Sequence, residues 1–299
     1  MAAWRTIWTA SDWLAAIGGP GAPTLLQVTS LLDVTTASPI GRSFGEEGAL
    51  LTYGSYLRLE QLLGQQVVQS DPPAHDELLF ITIHQVYELW FKLLLHELEA
   101  TRDAMLEGRL WWASHLLSRV RVIERVLIEQ VGVLETMTPQ DFLQFRSGLA
   151  PASGFQSVQF RELEFLSGAK DRSFLDRFRG LSEEERARLE RRLDEPSVWD
   201  AFVAVLEMHE LPSGDDAETL QSLLVVARDR EHYGDMWVLA EALLDHDESA
   251  ALWRSRHVMM VERQIGTKSG TGGSSGGPYL RRRLPLRYYP LLWELRDLL

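Results

Sequence analysis

Cysteine is absent from this 299-residue chain. That absence excludes disulfides, thiolate-ligated haem, iron–sulfur clusters and cysteine nucleophiles, and it fits a reducing, cytoplasmic setting. Basic charge is scarce: Lys and Arg total 30 against 43 Asp and Glu, for a net charge of −13. Nucleic acid is therefore not expected as a partner, because phosphate binding needs a basic surface. No unbroken apolar run approaches the roughly 20 residues that span a bilayer, so no membrane partner is expected either. The opening MAAWRTIWTASDWLAAIGG lacks a basic lead, a continuous apolar stretch and a small-residue cleavage site, and does not read as a signal peptide. Period-two alternation and internal repeats are also missing, which leaves nothing to support a sheet.

What remains is helical. Hydrophobic residues make up 45% of the chain, enough for a large core. Residues 1–50 read as an arm: a short helix carrying Trp4, Trp8 and Trp13, then a loop suited to reaching another subunit. Residues 51–299 read as a single helical domain. Helical patterning runs from Leu51 to Gln66. After Asp71-Pro72-Pro73 a long helix is expected over His75 to Leu106, apolar nearly all round and therefore central. A helix over Leu110 to Leu134 follows. Thr138-Pro139-Gln140-Asp141 is a helix start, with a capping Thr and Pro at the first position. That helix is expected to end at Pro151-Ala152-Ser153-Gly154, with another over Gln156 to Gly168. Ser182-Glu183-Glu184-Glu185 opens a charged helix to Leu193 that reads as mostly solvated. Pro196 to Leu211, one or two helices over Ala217 to Asp245, and a helix entered at Glu248 complete the pattern. The expected fold is an all-α, large helical bundle.

Trp253 to Gly277, WRSRHVMMVERQIGTKSGTGGSSGG, joins a helix to a glycine loop. Val258, Val261 and Ile265 form an apolar stripe with His257 at its head, so the imidazole points inward. Such a histidine is ordinarily a hydrogen-bonded core residue, and such a loop is ordinarily a linker. Their adjacency also suits a metal-bound imidazole beside main-chain N–H groups that wrap a polar ligand. His84, inside the long helix one turn after Phe80, is a second inward histidine. No histidine has Glu three residues before it and no His-Glu-x-x-His occurs, so di-iron and zinc-hydrolase sites have no support. A haem with one axial histidine needs only one His and an apolar pocket. Arg146, on a Phe- and Leu-rich helix, suits either a structural ion pair or a substrate carboxylate.

Four stretches then resemble the haem-dependent tryptophan 2,3-dioxygenase family, in the family's order: YGSYLRLEQLL (Tyr53–Leu63), HDELLFITIHQVYELWFKLLLHEL (His75–Leu98), LETMTPQDFLQFRSGLAPASGFQSVQFRELEFLSG (Leu134–Gly168) and WRSRHVMMVERQIGTKSGTGGSSG (Trp253–Gly276). The resemblance implies a helical bundle enclosing haem b, with an arm reaching a neighbouring subunit of a homotetramer. It implies His257 as the axial ligand of the haem iron, with Ser153 and Gly154 beside the haem. His84 falls at the distal histidine that accepts the indole N–H. Arg146 falls at the clamp on the substrate carboxylate, and Thr271 at the threonine holding the amino-acid end. Phe80, Phe142 and Leu149 fall at pocket-lining positions. Tyr53, Tyr56 and Leu57 match residues donated to a neighbour's pocket.

The implied reaction cleaves the indole C2–C3 bond of L-tryptophan with O2 as co-substrate, giving N-formylkynurenine. Two departures stand out. Val131 stands where the family carries a large aromatic residue, and Gly277-Pro278 where a bulkier residue is common. An alternative reading is a haem monooxygenase of the same superfamily, inserting one oxygen into tryptophan or a derivative. A third is a haem-binding sensor, against which an amino-acid clamp at Arg146 and Thr271 argues.

Overall fold

The computed structural model describes residues 51–177, 180–273 and 275–299. The expected arm, with Trp4, Trp8 and Trp13, lies outside the described residues. Among the described residues every regular element is helical, as an all-α chain requires. The chain divides into two units, Met1–Leu63 and Gly64–Leu299.

In the first unit, α1 (Tyr53–Leu57) and α2 (Leu59–Leu63) replace the single helix expected from Leu51 to Gln66. Arg58 is the reason. It takes a left-handed conformation (φ 52°) and turns its N–H back to the carbonyls of Gly54 and Ser55, which ends α1. Thr52 and Ser55 cap each other reciprocally at the start of α1. Tyr53, Tyr56 and Leu57 are exposed.

The second unit is built on three long helices. The first, α3 (His75–Leu106), has the expected bounds. Its N-cap, Ala74, offers no side chain. Glu77, only 1% exposed, does the fastening instead. Its carboxylate accepts the main-chain N–H groups of Gln69 and Ser70, each at 2.9 Å, and the Ser70 hydroxyl. Ser70 Oγ in turn accepts the Ala74 N–H at 2.8 Å. By length and composition α3 is apolar enough to cross a membrane. Here it is the helix around which α4 (Leu110–Leu134), α6 (Val158–Ser167) and α9 (Val198–Met208) pack.

Between these, α5 (Pro139–Arg146) is capped by Thr138 and Asp141 and ends before the expected Pro151, in a 3-10 turn over Ser147–Leu149. A short α7 (Ser173–Arg177) leads to α8 (Glu183–Asp194), whose expected solvated character holds for only part of its surface. Leu189 is fully buried, and buried Arg192 pairs with Glu162 at 3.2 Å, Glu195 at 2.5 Å and Glu99. That charge is inside because three carboxylates from other turns surround it.

After α10 (Asp216–Arg228) comes α11 (Gly234–Ile265), one 32-residue helix where two were expected. The polar run around His246 and Asp247 looks like an interruption but is an internal tie. His246 lies between Glu124 at 2.7 Å and Ser167 at 3.0 Å. Asp247, fully buried, accepts the N–H groups of Tyr288 and Tyr289 and the Trp293 indole N–H. Both charges are partnered, so the helix continues through them. α12 (Gly277–Arg281) and α13 (Pro290–Glu294) close the chain. The core runs between α3, α4 and α11, where Leu98, Met105, Leu117, Val120 and Leu243 have no exposed surface.

Candidate functional site

The C-terminal half of α11 and the N-terminal half of α3 line one cavity of about 290 Å3, together with α5, α6 and Gly270, Thr271 and Gly276 of the glycine segment. Phe80, Phe91, Phe142, Phe160 and Trp253 give it a largely aromatic wall. His84 and His257 both line it, as do Arg146, Ser153, Gly154 and Thr271. Residues far apart in sequence thus meet on one surface.

His84 is oriented by its own helix. Its Nδ1 lies 2.7 Å from the Phe80 carbonyl. A carbonyl only accepts, so Nδ1 carries the proton and Nε2 keeps its lone pair. Phe80 also packs on the imidazole, with ring centroids 4.1 Å apart. Burial pushes the His84 pKa below the ordinary histidine value; the Phe80 carbonyl and the Glu88 charge oppose it without reversing it. The ring is therefore neutral near pH 7, and its free nitrogen is an acceptor.

His257 shares no hydrogen bond with any described residue. Burial pushes its imidazole down to about 4, and His84 on the same cavity adds to the effect. A neutral imidazole without a protein partner is available as a metal ligand. No group of three or more His, Asp or Glu able to hold a metal occurs among the described residues, so a metal held by side chains alone has no site there.

Arg146 ends α5 and forms no ion pair among the described residues. Its guanidinium donates to the Ser269 carbonyl in the glycine segment. Thr271 Oγ1 donates to the Ala152 carbonyl at 2.6 Å. Two glycines permit this approach. A Cβ on Gly272 would meet Ser153 Cβ at 2.6 Å, and one on Gly276, where φ is +65°, would meet the Lys268 carbonyl at 2.5 Å. The segment is thus a folded element rather than a linker.

Leu149 packs against Phe142, Phe145 and Ile265, of which Phe142 and Ile265 line the cavity. Val131 is buried in the core between α3, α4 and α11 and does not line the cavity. Gly277 opens α12, where an added Cβ would press on Glu262 at 3.3 Å. Tyr53, Tyr56 and Leu57 belong to the first unit.

The cavity also carries charges that the sequence does not by itself assign to the site: Glu88, Arg161, Glu164, Arg254 and Arg283. Arg161 and Arg283 both pair with Glu164, and Gln159 holds the Glu88 carboxylate at 2.8 Å. Arg254 lies four residues before Val258 on the same stripe, a spacing that would have found it. Arg161 and Glu164 are charges at i, i+3 within VQFRELEFL, where Gln159 and Glu162 are also polar.

A family model described as tryptophan 2,3-dioxygenase matches residues 41–214 and 214–299. A protein named tryptophan 2,3-dioxygenase from Nocardioides sp. is 68% identical over 259 residues, covering 85% of this chain and 97% of its own. Proteins of the same name from Herpetosiphon aurantiacus and Myxococcus xanthus are 45% and 43% identical, each match covering 82% of this chain and 97% and 88% of theirs.

Proposed function

The chain belongs to the tryptophan 2,3-dioxygenase family, and from that premise we propose how its own residues carry the reaction. Its activity is the dioxygenation of tryptophan. Cleavage of the indole C2–C3 bond then gives N-formylkynurenine. The monooxygenase alternative is not favoured, since the relatives carry the dioxygenase name.

The family is haem-dependent, and the cavity suits that group. A macrocycle needs an aromatic-lined slot, one neutral nitrogen ligand and donors for its carboxylates. The wall supplies Phe91, Phe160 and Trp253, then His257, and then buried donors without hydrogen-bond partners: Arg161 Nε, Arg254 Nε and Nη1, and Tyr279 Oη. In this reading His257 holds haem b, with Ser153 and Gly154 alongside. When bound, haem supplies the iron at which dioxygen is made reactive.

The protein's part is positioning and exclusion of water. Arg146 exchanges the Ser269 carbonyl for the substrate carboxylate, a stronger partner for a cation. Thr271 already donates its hydroxyl proton to Ala152, so its oxygen is left to accept from the substrate ammonium. With both ends of the zwitterion held, the indole N–H meets His84 Nε2, which accepts it. The dry aromatic wall of Phe80 and Phe142 fixes the ring plane, so proximity supplies much of the rate. Tyr53, Tyr56 and Leu57, exposed on their own chain, would cover the cavity of a neighbour in a homotetramer. The cysteine-free composition supports a cytoplasmic location.

The observation that carries this reading is the meeting of His84, Arg146, Thr271 and His257 on one cavity. Reduced, haem-loaded protein given L-tryptophan and 18O2 tests it by mass spectrometry. Two labelled oxygens in a ring-opened product are expected; one label in an intact ring system would overturn it.

A further inference from the structure

His84 inside α3, His257 inside α11 and His209 at the C-cap of α9 differ in how their rings are held. His84 and His209 each direct Nδ1 to the main-chain carbonyl four residues earlier, at 2.7 and 2.9 Å. His257 makes no such bond. The residue four positions before it is Trp253, whose indole stacks on the imidazole with centroids 5.0 Å apart and planes only 9° apart. Trp253 is held in turn. Phe160 packs on it at 5.1 Å, and the Tyr87 ring meets it edge-on at 6.2 Å. Tyr87 is buried and anchored by its hydroxyl to the Leu127 carbonyl at 2.9 Å.

Metal-ligating histidines usually donate their second ring N–H to a carboxylate or carbonyl, which fixes the ring and raises its basicity. His257 meets no such acceptor among the described residues; a parallel aromatic face lies over its ring instead. We propose that Trp253 is the positioning residue of the axial imidazole: stacking against it sets the plane of His257, while no protein acceptor makes the ring more basic. This rests on the haem reading above. Stacking constrains ring rotation without adding charge, so the imidazole remains a neutral and comparatively weak electron donor to the iron. The ring chain Tyr87–Trp253–Phe160 ties that orientation to α3 and α6, so His257 is fixed from outside its own helix.

The test uses the haem-loaded protein with Trp253→Leu, which removes the ring, and Trp253→Phe, which keeps a smaller one. The readouts are the iron–imidazole stretching band of the ferrous protein by resonance Raman and the rate of haem transfer to apomyoglobin. For Trp253→Leu the band shifts and broadens, and haem leaves about three- to tenfold faster, the range a lost aromatic pair sets. Trp253→Phe lies between on both readouts. A band and a transfer rate equal to those of the parent in the variants would overturn the proposal. If far-UV circular dichroism shows that Trp253→Leu has lost its helices, Trp253→Phe decides by the same two readouts. His257→Ala separates the two levels of inference. If it keeps the parent's band, the haem reading itself is wrong; if it loses the band while the Trp253 variants keep it, only the stacking role falls.

Discussion

At the scale of residues, the proposed recognition turns on two groups. His84 Nε2 is an acceptor only while the ring is neutral. Burial lowers its pKa, so protonation begins only below the ordinary histidine value of about 6.5. As pH falls through that lowered pKa, Nε2 gains a proton and can no longer accept the indole N–H. The acid limb of kcat/KM for tryptophan is therefore expected below pH 6.5, and in His84→Ala that limb should vanish while part of the activity remains. Pre-steady-state and steady-state profiles across pH 4.5–8 would show it. Arg146 is the second. Its present partner is a neutral carbonyl, so its charge is left for the substrate. Arg146→Ala is expected to raise KM for tryptophan about 10- to 100-fold, the worth of a charge-assisted bond, with the haem spectrum unchanged. An unmoved KM would remove Arg146 from the clamp.

At the scale of elements, the glycine segment and the start of α3 make separate predictions. Gly276 sits at φ +65° with the Lys268 carbonyl 2.5 Å from any added Cβ. Main chain on both sides cannot yield cheaply, so Gly276→Ala should displace Ser269 and Thr271 from Arg146 and Ala152. The expected signature is a raised KM for tryptophan with little change in the thermal midpoint, because the segment is local and the core untouched. The start of α3 depends on Glu77. Burial works against its ionisation, but the Ser70 hydroxyl and the N–H groups of Gln69 and Ser70 outweigh it and hold the carboxyl below its ordinary value. A depressed folded-state pKa contributes stability above the unfolded value of about 4.3, lost as pH falls through the folded one. Glu77→Gln should lower Tm by roughly 2–5 °C at pH 7 and flatten the loss of stability below pH 4, read by calorimetry.

At the scale of the whole molecule, the exposed Tyr53, Tyr56 and Leu57 carry an expectation about assembly. If each chain completes a neighbour's cavity, a defect in the donated residues and a defect in the clamp lie in different sites. Mixing Tyr56→Ala chains with Arg146→Ala chains, after dissociation and reassembly, is expected to recover part of the activity that neither variant has alone. No recovery, with mixed oligomers confirmed by native mass spectrometry, would mean that these residues act within their own chain. The same scale explains the fold's economy of polar ties. Asp247 accepts from Tyr288, Tyr289 and Trp293, and Arg254 donates to the Leu286 carbonyl, so the chain's end is tied to the helix of His257.

The sequence by itself determined the helical class, the bounds of α3 and α4, the start of α5 and part of the cavity's lining, with His84, Arg146, Thr271 and His257 among it. Periodicity, caps and prolines are local signals, and they act within a few turns of chain. Four motifs in family order supplied the chemistry. Tertiary structure alone decided the rest. Arg58 broke one expected helix, because a left-handed residue is not visible in YGSYLRLEQLL. His246 and Asp247 did not break another, because their partners come from α4, α6 and the chain's end. Arg192 entered the core because Glu99, Glu162 and Glu195 were there to meet it. Val131 turns into the core because α3 and α11 both pack against α4 there. Whether a charge is buried, a break or a tie depends on partners distant in sequence, and only the folded chain brings them within reach.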